Sequence, residues 1–179
     1  QTVWQFNIPN NMKQSVLYEG QVQYSSRTQP ENGKAIRKAL GGTFFSGGGT
    51  VDFALSAILG SQFAVEYDAK ISAVYQQNNE TQFMGKDVMD FNPEEWKGKV
   101  EYFHASPVCK TYSHAINNAG KEARLEEGID AKTAKATANA LRVIQPSVFT
   151  LENVVGYKGS HALKLITDAL GELGYTWDI

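Results

Sequence analysis

From Gly42 to Ile179, short apolar runs alternate with stretches of helical periodicity, and this rhythm narrows the possible folds more than any other feature of the chain. Thr43-Phe44-Phe45 reads as a buried strand, and Ser46 to Gly49 as a tight loop. Val51 to Leu59 reads as a helix stopped by Gly60. Phe63-Ala64-Val65 is the next strand, and Ala69 to Tyr75 a helix with Ile71, Val74 and Tyr75 on one face. Further strands are expected at 81–84, 100–104 and 147–151, with another starting at Tyr175. A helix over 130–145 carries Ala134, Ala138, Leu141 and Arg142 one turn apart and is stopped by Pro146, which cannot continue a helix. The helix over 162–173 aligns Leu163, Ile166, Leu170 and Leu173, with Gly174 where a left-handed cap belongs. Strands alternating with helices imply an α/β fold with a mostly parallel sheet covered on both faces.

Residues 1–41 are less regular and read as an N-terminal extension. Val16–Tyr18 and Gln21–Tyr24 form a candidate hairpin around Glu19-Gly20, followed by a polar loop over 25–34. Residues 42–179 are the expected catalytic domain. No stretch of apolar residues is long enough to span a bilayer, so no membrane partner is expected. The first residues carry no secretory signal pattern, and a cytoplasmic location is expected. One cysteine excludes an internal disulfide, and no Cys or His pair has zinc-ligand spacing, so no metal is expected. A net charge of −2 excludes a whole-domain basic footprint for nucleic acid.

In parallel sheets, ligands bind outside the carboxyl ends of the strands. Three features fall at such ends. The first is Phe45-Ser46-Gly47-Gly48-Gly49, which is neither a P-loop nor a GxGxxG fingerprint. A plain strand-to-helix turn is the alternative, but successive glycines cost chain entropy without packing return. The second is Cys109, the only thiol, at the exit of the 100–104 strand. A lone cysteine is most often a small hydrophobe. Here polar residues follow it, and Lys110 is expected to favour the reactive thiolate. His104, His114 and His161 have no diagnostic spacing to it and read as surface or packing residues.

The third is Glu152, after the run Val148 to Leu151. A carboxylate in that position is expected to be partly desolvated and suited to giving up a proton near neutral pH. Its alternative is an ion pair with Lys110 or Arg124. Glu66-Tyr67-Asp68 ends the second strand roughly 20 residues after the glycine loop, the spacing of a ribose-binding acid. Asp68 also suits a helix N-cap. Asp87 follows a third apolar run, as an acceptor for an adenine amino group or as a solvated turn acid.

Taken together, these residues resemble the catalytic part of DNA (cytosine-5)-methyltransferases over about 43–179, with motifs in the family's order. Phe45-Ser46-Gly47-x-Gly49 resembles the S-adenosylmethionine loop. Glu66-Tyr67-Asp68, followed by Tyr75 and Asn78, resembles the ribose-binding motif, and Gly85-Lys86-Asp87-Val88 the adenine-binding motif. Ser106-Pro107-Val108-Cys109 resembles the nucleophile motif, and Pro146-x-x-Phe149-x-Leu151-Glu152-Asn153-Val154 the Glu-Asn-Val motif. The family usually has Pro before the cysteine and Gln after it, where this chain has Val108 and Lys110.

The resemblance implies a Rossmann-like methyltransferase fold and S-adenosylmethionine as cofactor. The cofactor would be bound by Phe45, Ser46, Gly47, Gly49, Glu66, Tyr67, Asp87, Val88 and Pro107. It also implies a covalent mechanism on a cytosine flipped out of double-stranded DNA. In it Cys109 adds to carbon 6, Glu152 serves N3, and Asn153 orients the backbone around Pro107 and Cys109. The segment 110–128 would be a loop closing over the base. The sequence stops before the family's Gln-x-Arg-x-Arg motif and recognition domain. A fragment, or one partner of a split enzyme completed by a second chain or segment, is therefore expected, with a restriction-modification setting and nucleoid association as corollaries. The alternatives are a cofactor-binding module inactive alone and an RNA cytosine methyltransferase.

Overall fold

The computed structural model describes residues 2–7, 37–79, 81, 83–110 and 128–179. The candidate hairpin, the loop over 25–34, His114, Arg124 and most of the expected closing loop lie outside the described residues. Strands β1 (Thr2–Asn7), β2 (Ala39–Phe44), β3 (Leu59–Val65), β4 (Phe83–Met84), β5 (Tyr102–Ala105), β6 (Val148–Asn153) and β7 (Thr176–Trp177) build one sheet. Among the described residues its order is β4-β3-β2-β5-β6-β1-β7. The run from β4 through β6 is parallel. The chain proceeds outward from β2 through β3 to β4, then returns to the other side of β2 for β5 and β6. The switch point therefore lies between β2 and β5, where such sheets open a crevice at their carboxyl ends.

β1 pairs antiparallel with both β6 and β7. Its register sets Thr2 opposite Asn153 and Val3 opposite Glu152. A strand from the first residues thus runs beside the carboxyl end of β6, a role the sequence reading did not assign to it.

Helices α1 (Thr50–Leu55), α2 (Ala69–Asn78), α3 (Ile129–Ile144) and α4 (His161–Glu172) complete the domain. Successive strand residues face opposite sides of a sheet. On one side Phe44, Phe103, Phe149 and Leu151 join Ala134, Leu141 and Ile144 of α3 and Ile166 and Leu170 of α4 in the core. Phe44 meets Phe91 and Phe103 edge-on at 4.8 and 4.9 Å, the arrangement aromatic quadrupoles favour. On the other side Thr43 Oγ1 donates to Asp52 Oδ1 of α1 at 3.0 Å, and Ser61 Oγ donates to the same oxygen at 2.6 Å. Helices therefore cover both faces, as expected. Burial pushes the Asp52 carboxyl up from its ordinary range, against the pull of those hydroxyl donors.

Glycine marks two close approaches. A Cβ on Gly42 would lie 2.3 Å from Cζ of Phe63, so β2 leaves room there for a ring of the core. Gly174, at φ +76°, ends α4 as expected, with Tyr175 N–H donating back to Leu170 O at 2.9 Å. Helix α3 ends at Ile144, and Gln145 turns left-handed at φ +51° before Pro146.

Two local expectations fail. Gly60 does not stop a helix: α1 ends at Leu55, and Gly60 lies inside β3, paired with Leu40. Parallel pairing along all of β2 satisfies that backbone better than further helix would. On α2, Ile71 and Val74 are exposed, and the buried positions are Ser72 and Tyr75. The helix turns its mixed face inward because Tyr75 packs under the glycine loop, its ring carbons within 3 Å of where a Cβ on Gly49 would sit.

Candidate active site

At the carboxyl ends of β2, β3 and β4 lies a cleft of about 300 Å³. It is lined by Phe45, Glu66, Tyr67, Asp87 and Val88 from the expected cofactor motifs, with Val108 and Lys110 beside the cysteine. Ile129 and Thr133 from the first turns of α3 close the side that the sequence reading missed. Their signal was faint, because helix-start residues facing a cleft have the same spacing as those facing a core.

The loop that begins this cleft is strained. Phe45 has φ +56°, rare for a bulky residue, followed by Gly47 at +54° and Gly49 at +84°. Such strain persists where surrounding contacts over-determine it, and it concentrates at ligand sites. Two contacts supply that constraint. Gly47 N–H donates to Glu66 Oε2 at 3.1 Å, and Ser46 N–H to Val65 O at 3.1 Å. A side chain on Gly49 would lie 2.0 Å from Nδ2 of Asn79. Glu66 also accepts from the N–H groups of Tyr67 and Asp68 through Oε1, at 2.9 and 3.0 Å. It therefore clamps the loop to the end of β3 while lining the cleft. Asp68 is the N-cap of α2, accepting from Lys70 and Ile71. Asp87 caps a short 3-10 turn, Val88–Asp90, through Met89 N–H at 3.0 Å and lines the cleft.

The second half of the site joins β5 to β6. Asn153, buried at the end of β6, donates from Nδ2 to Pro107 O at 2.9 Å. Its Oδ1 accepts from Val154 N–H at 2.8 Å, which fixes the amide orientation. The loop carrying Cys109 is thereby tied to the strand carrying Glu152. Ser106 Oγ donates a short hydrogen bond to Glu152 Oε2. Glu152 is half-buried, and among the described residues its polar partner is this serine rather than a lysine. Arg124, the other expected ion-pair partner, lies outside the described residues.

Cys109 is half-buried and packs against the core edge. Burial pushes its thiol up from the ordinary value, and the negative charges of Asp130 and Glu152 push it further. This corrects the expectation that Lys110 favours the thiolate: Lys110 is exposed, and the carboxylates set the local field. Asp130, buried in the first turn of α3, is a third residue the sequence reading missed; an acid in a helix's first turn is already favoured by the helix dipole and so gives no separate signal. His104 is buried in β5, with Nδ1 2.8 Å from Thr150 Oγ1. Desolvation lowers its pKa to about 4, against the opposing effect of Glu152, so it packs as a neutral ring.

The profile of the C-5 cytosine-specific DNA methylase family matches residues 42–179. Among solved structures, the chain is similar to the Dnmt2 methyltransferase of S. pombe at 15% identity and a TM-score of 0.60, over 76% of this chain and 41% of that one. It is also similar to the Entamoeba histolytica methyltransferase EhMeth at 16% identity and a TM-score of 0.62, over 77% of this chain and 45% of that one. A putative prophage-encoded DNA modification methyltransferase from E. coli aligns at 19% identity and a TM-score of 0.56, over 75% of this chain and 37% of that one. The chain thus spans less than half the length of these neighbours, which share its Rossmann-like methyltransferase fold. No curated protein sequence matches it significantly.

The cofactor of this fold and family is S-adenosylmethionine, and the cleft fits it. Apolar walls from Phe45, Val65 and Val88 suit an adenine ring, while the carboxyl groups of Glu66 and Asp87 suit hydroxyl and amino donors. Among the described residues no helix is long and apolar enough to cross a membrane. A strained glycine loop, a cofactor cleft and a matched profile spanning both converge: the chain belongs to the C-5 cytosine-specific DNA methylase family and carries part of its methyltransferase domain.

Proposed function

We propose that this chain methylates carbon 5 of cytosine in double-stranded DNA through a covalent adduct on Cys109. The observation that carries this reading is the nearness of Cys109, in the loop after β5, to Glu152 near the end of β6, close enough that the charge of Glu152 acts on the thiol. The Asn153–Pro107 hydrogen bond ties that loop to β6, and Val108 and Lys110, which flank Cys109, line the cofactor cleft. The target atom is stacked inside a duplex, so the base is flipped out before reaction. Cys109 thiolate adds to carbon 6, and the π electrons of the 5,6 double bond move into the ring. Glu152 gives a proton to N3 and so neutralises that charge. When bound, S-adenosylmethionine supplies an electrophilic methyl group, which carbon 5 accepts. A base then removes the carbon-5 proton, the 5,6 double bond re-forms as Cys109 departs as thiolate, and the N3 proton returns to Glu152.

The roles proposed for the cofactor residues are those their motifs imply. Phe45, Ser46, Gly47 and Gly49 would shape the loop, Glu66 and Tyr67 would serve the ribose and Asp87 and Val88 the adenine, as the family resemblance implies; Phe45, Glu66, Tyr67, Asp87 and Val88 line the cleft, whereas Ser46, Gly47, Gly49 and Pro107 do not. The shared length argues for a further segment or second chain that reads the DNA. Phosphate neutralisation is the main source of nonspecific affinity, and a net charge of −2 supplies little of it.

Trapping with 5-fluorocytosine tests the proposal. Duplex DNA carrying it should form a denaturation-resistant adduct in the presence of cofactor, and Cys109→Ala should form none. An adduct with an equivalent RNA but not with DNA would replace the substrate. Saturable cofactor binding with no adduct on either nucleic acid, even with the recognition segment added, would make the chain a binding module.

A further inference from the structure

The polar face of the sheet rises in a ladder toward Glu152. At its base the Tyr102 hydroxyl and His104 Nδ1 each meet Thr150 Oγ1, at 2.7 and 2.8 Å. The next pair up the same face is Ser106 on the β5 side and Glu152 on β6. The register continues from His104 opposite Thr150 and Ala105 opposite Leu151. Ser106 is itself held, its N–H donating to Phe44 O at 3.4 Å across to β2. Its hydroxyl donates to Glu152 Oε2 and lies 3.3 Å from the backbone oxygen of the same residue. Among the described residues it is the one donor to that carboxyl group.

We propose that Ser106 is a positioning residue for Glu152, holding Oε2 so that Oε1 is the oxygen presented to the base. The proposal rests on the acid role of Glu152 given above and adds the residue that aims it. A carboxyl on a flexible side chain has several rotamers, and a hydroxyl anchored to two strands selects one of them. A proton given to N3 then leaves from Oε1, while Oε2 keeps its donor before and after transfer. The neutral ring of His104 beneath the pair brings no competing cation to the carboxylate.

Two readouts on the full chain test this. In protein labelled with 13C at glutamate carboxyl carbons, the Glu152 resonance is assigned by its disappearance in Glu152→Gln. It should move in Ser106→Ala and return toward its original position in Ser106→Thr. This measurement needs no turnover. In the methylation assay, Ser106→Ala should lower kcat about tenfold, with the cofactor dissociation constant unchanged and Ser106→Thr recovering most of the loss. An unmoved resonance, or a loss that appears equally in cofactor affinity, overturns the proposal. Full methylation by Glu152→Gln would instead remove the acid role, and with it the purpose of Ser106, while the resonance shift persists. That pattern separates the two failures.

Discussion

Asn153 donates to the carbonyl oxygen of Pro107 at 2.9 Å, from the buried end of β6 to the loop that carries Cys109. This side chain, together with the Ser106 hydroxyl on Glu152, joins two strand ends that share no regular pairing beyond Ala105 and Leu151. The hydrogen bonds of a parallel sheet stop where the strands stop, so the geometry of the site beyond them depends on contacts of this kind.

Removing that contact should loosen the site more than the fold. Asn153→Ala leaves the Pro107 carbonyl without its donor, at a cost of about 1–3 kcal/mol. Urea unfolding should report that loss, and adduct formation should slow by more than the stability change explains. Equal adduct rates for Asn153→Ala and the wild type would show that Pro107 is held by other means.

The Cys109 thiol should be slow to ionise. Burial and the charges of Asp130 and Glu152 all favour the protonated form, so alkylation by iodoacetamide should accelerate only above the pH typical of free cysteine. Asp130→Asn removes one of those charges and should move the midpoint of the alkylation profile to lower pH. A midpoint that stays in place, or rises, contradicts the assigned field.

The two left-handed glycines of the cofactor loop should differ in tolerance. Gly47→Ala meets no atom within 4 Å and should cost about 1 kcal/mol for its backbone conformation alone. Gly49→Ala adds a Cβ 2.0 Å from Asn79 Nδ2 and 2.7 Å from Tyr75 Cδ2, and should cost about 1–3 kcal/mol more. Melting temperatures of the two variants should fall in that order, and calorimetric cofactor affinity should fall further for Gly49→Ala.

His104 should make the fold sensitive to acid. Its pKa falls from 6.5 to about 4 in the folded protein, so the folded state binds the proton less readily than the unfolded chain. Its contribution to stability is complete above the unfolded value and is lost as pH falls from 6.5 through about 4. The loss is on the order of 3 kcal/mol. His104→Gln keeps a partner for Thr150 and does not titrate, so its unfolding free energy should be flatter across that window. Parallel curves for the two proteins would remove His104 from the acid response.

The sheet and its site lie differently open to a reader of the sequence. The period of apolar residues located β2, β3, β5, β6, α3 and α4, because burying one face of a helix or a strand imposes that period whatever the partner. The glycines of 47–49, the acid after β3 and the acid near the end of β6 were legible because tight turns and strand-end carboxylates need particular residue types. Helix α2 was misread on its face, since Ile71 and Val74 obey helical spacing yet stay exposed while Ser72 and Tyr75 are buried. Gly60 was misread as a stop because nothing local reveals that β2 would pair along its whole length.

What the sequence alone determined is the set of groups available: one thiol, a few strand-end carboxylates and a glycine-rich loop. Tertiary structure decided their chemistry. The field at Cys109 comes from Asp130 and Glu152 rather than from its neighbour Lys110, and the aim of Glu152 comes from Ser106, 46 residues away. Coulombic and hydrogen-bond energies depend on distance in space and on the water removed, and neither quantity is written in the order of residues.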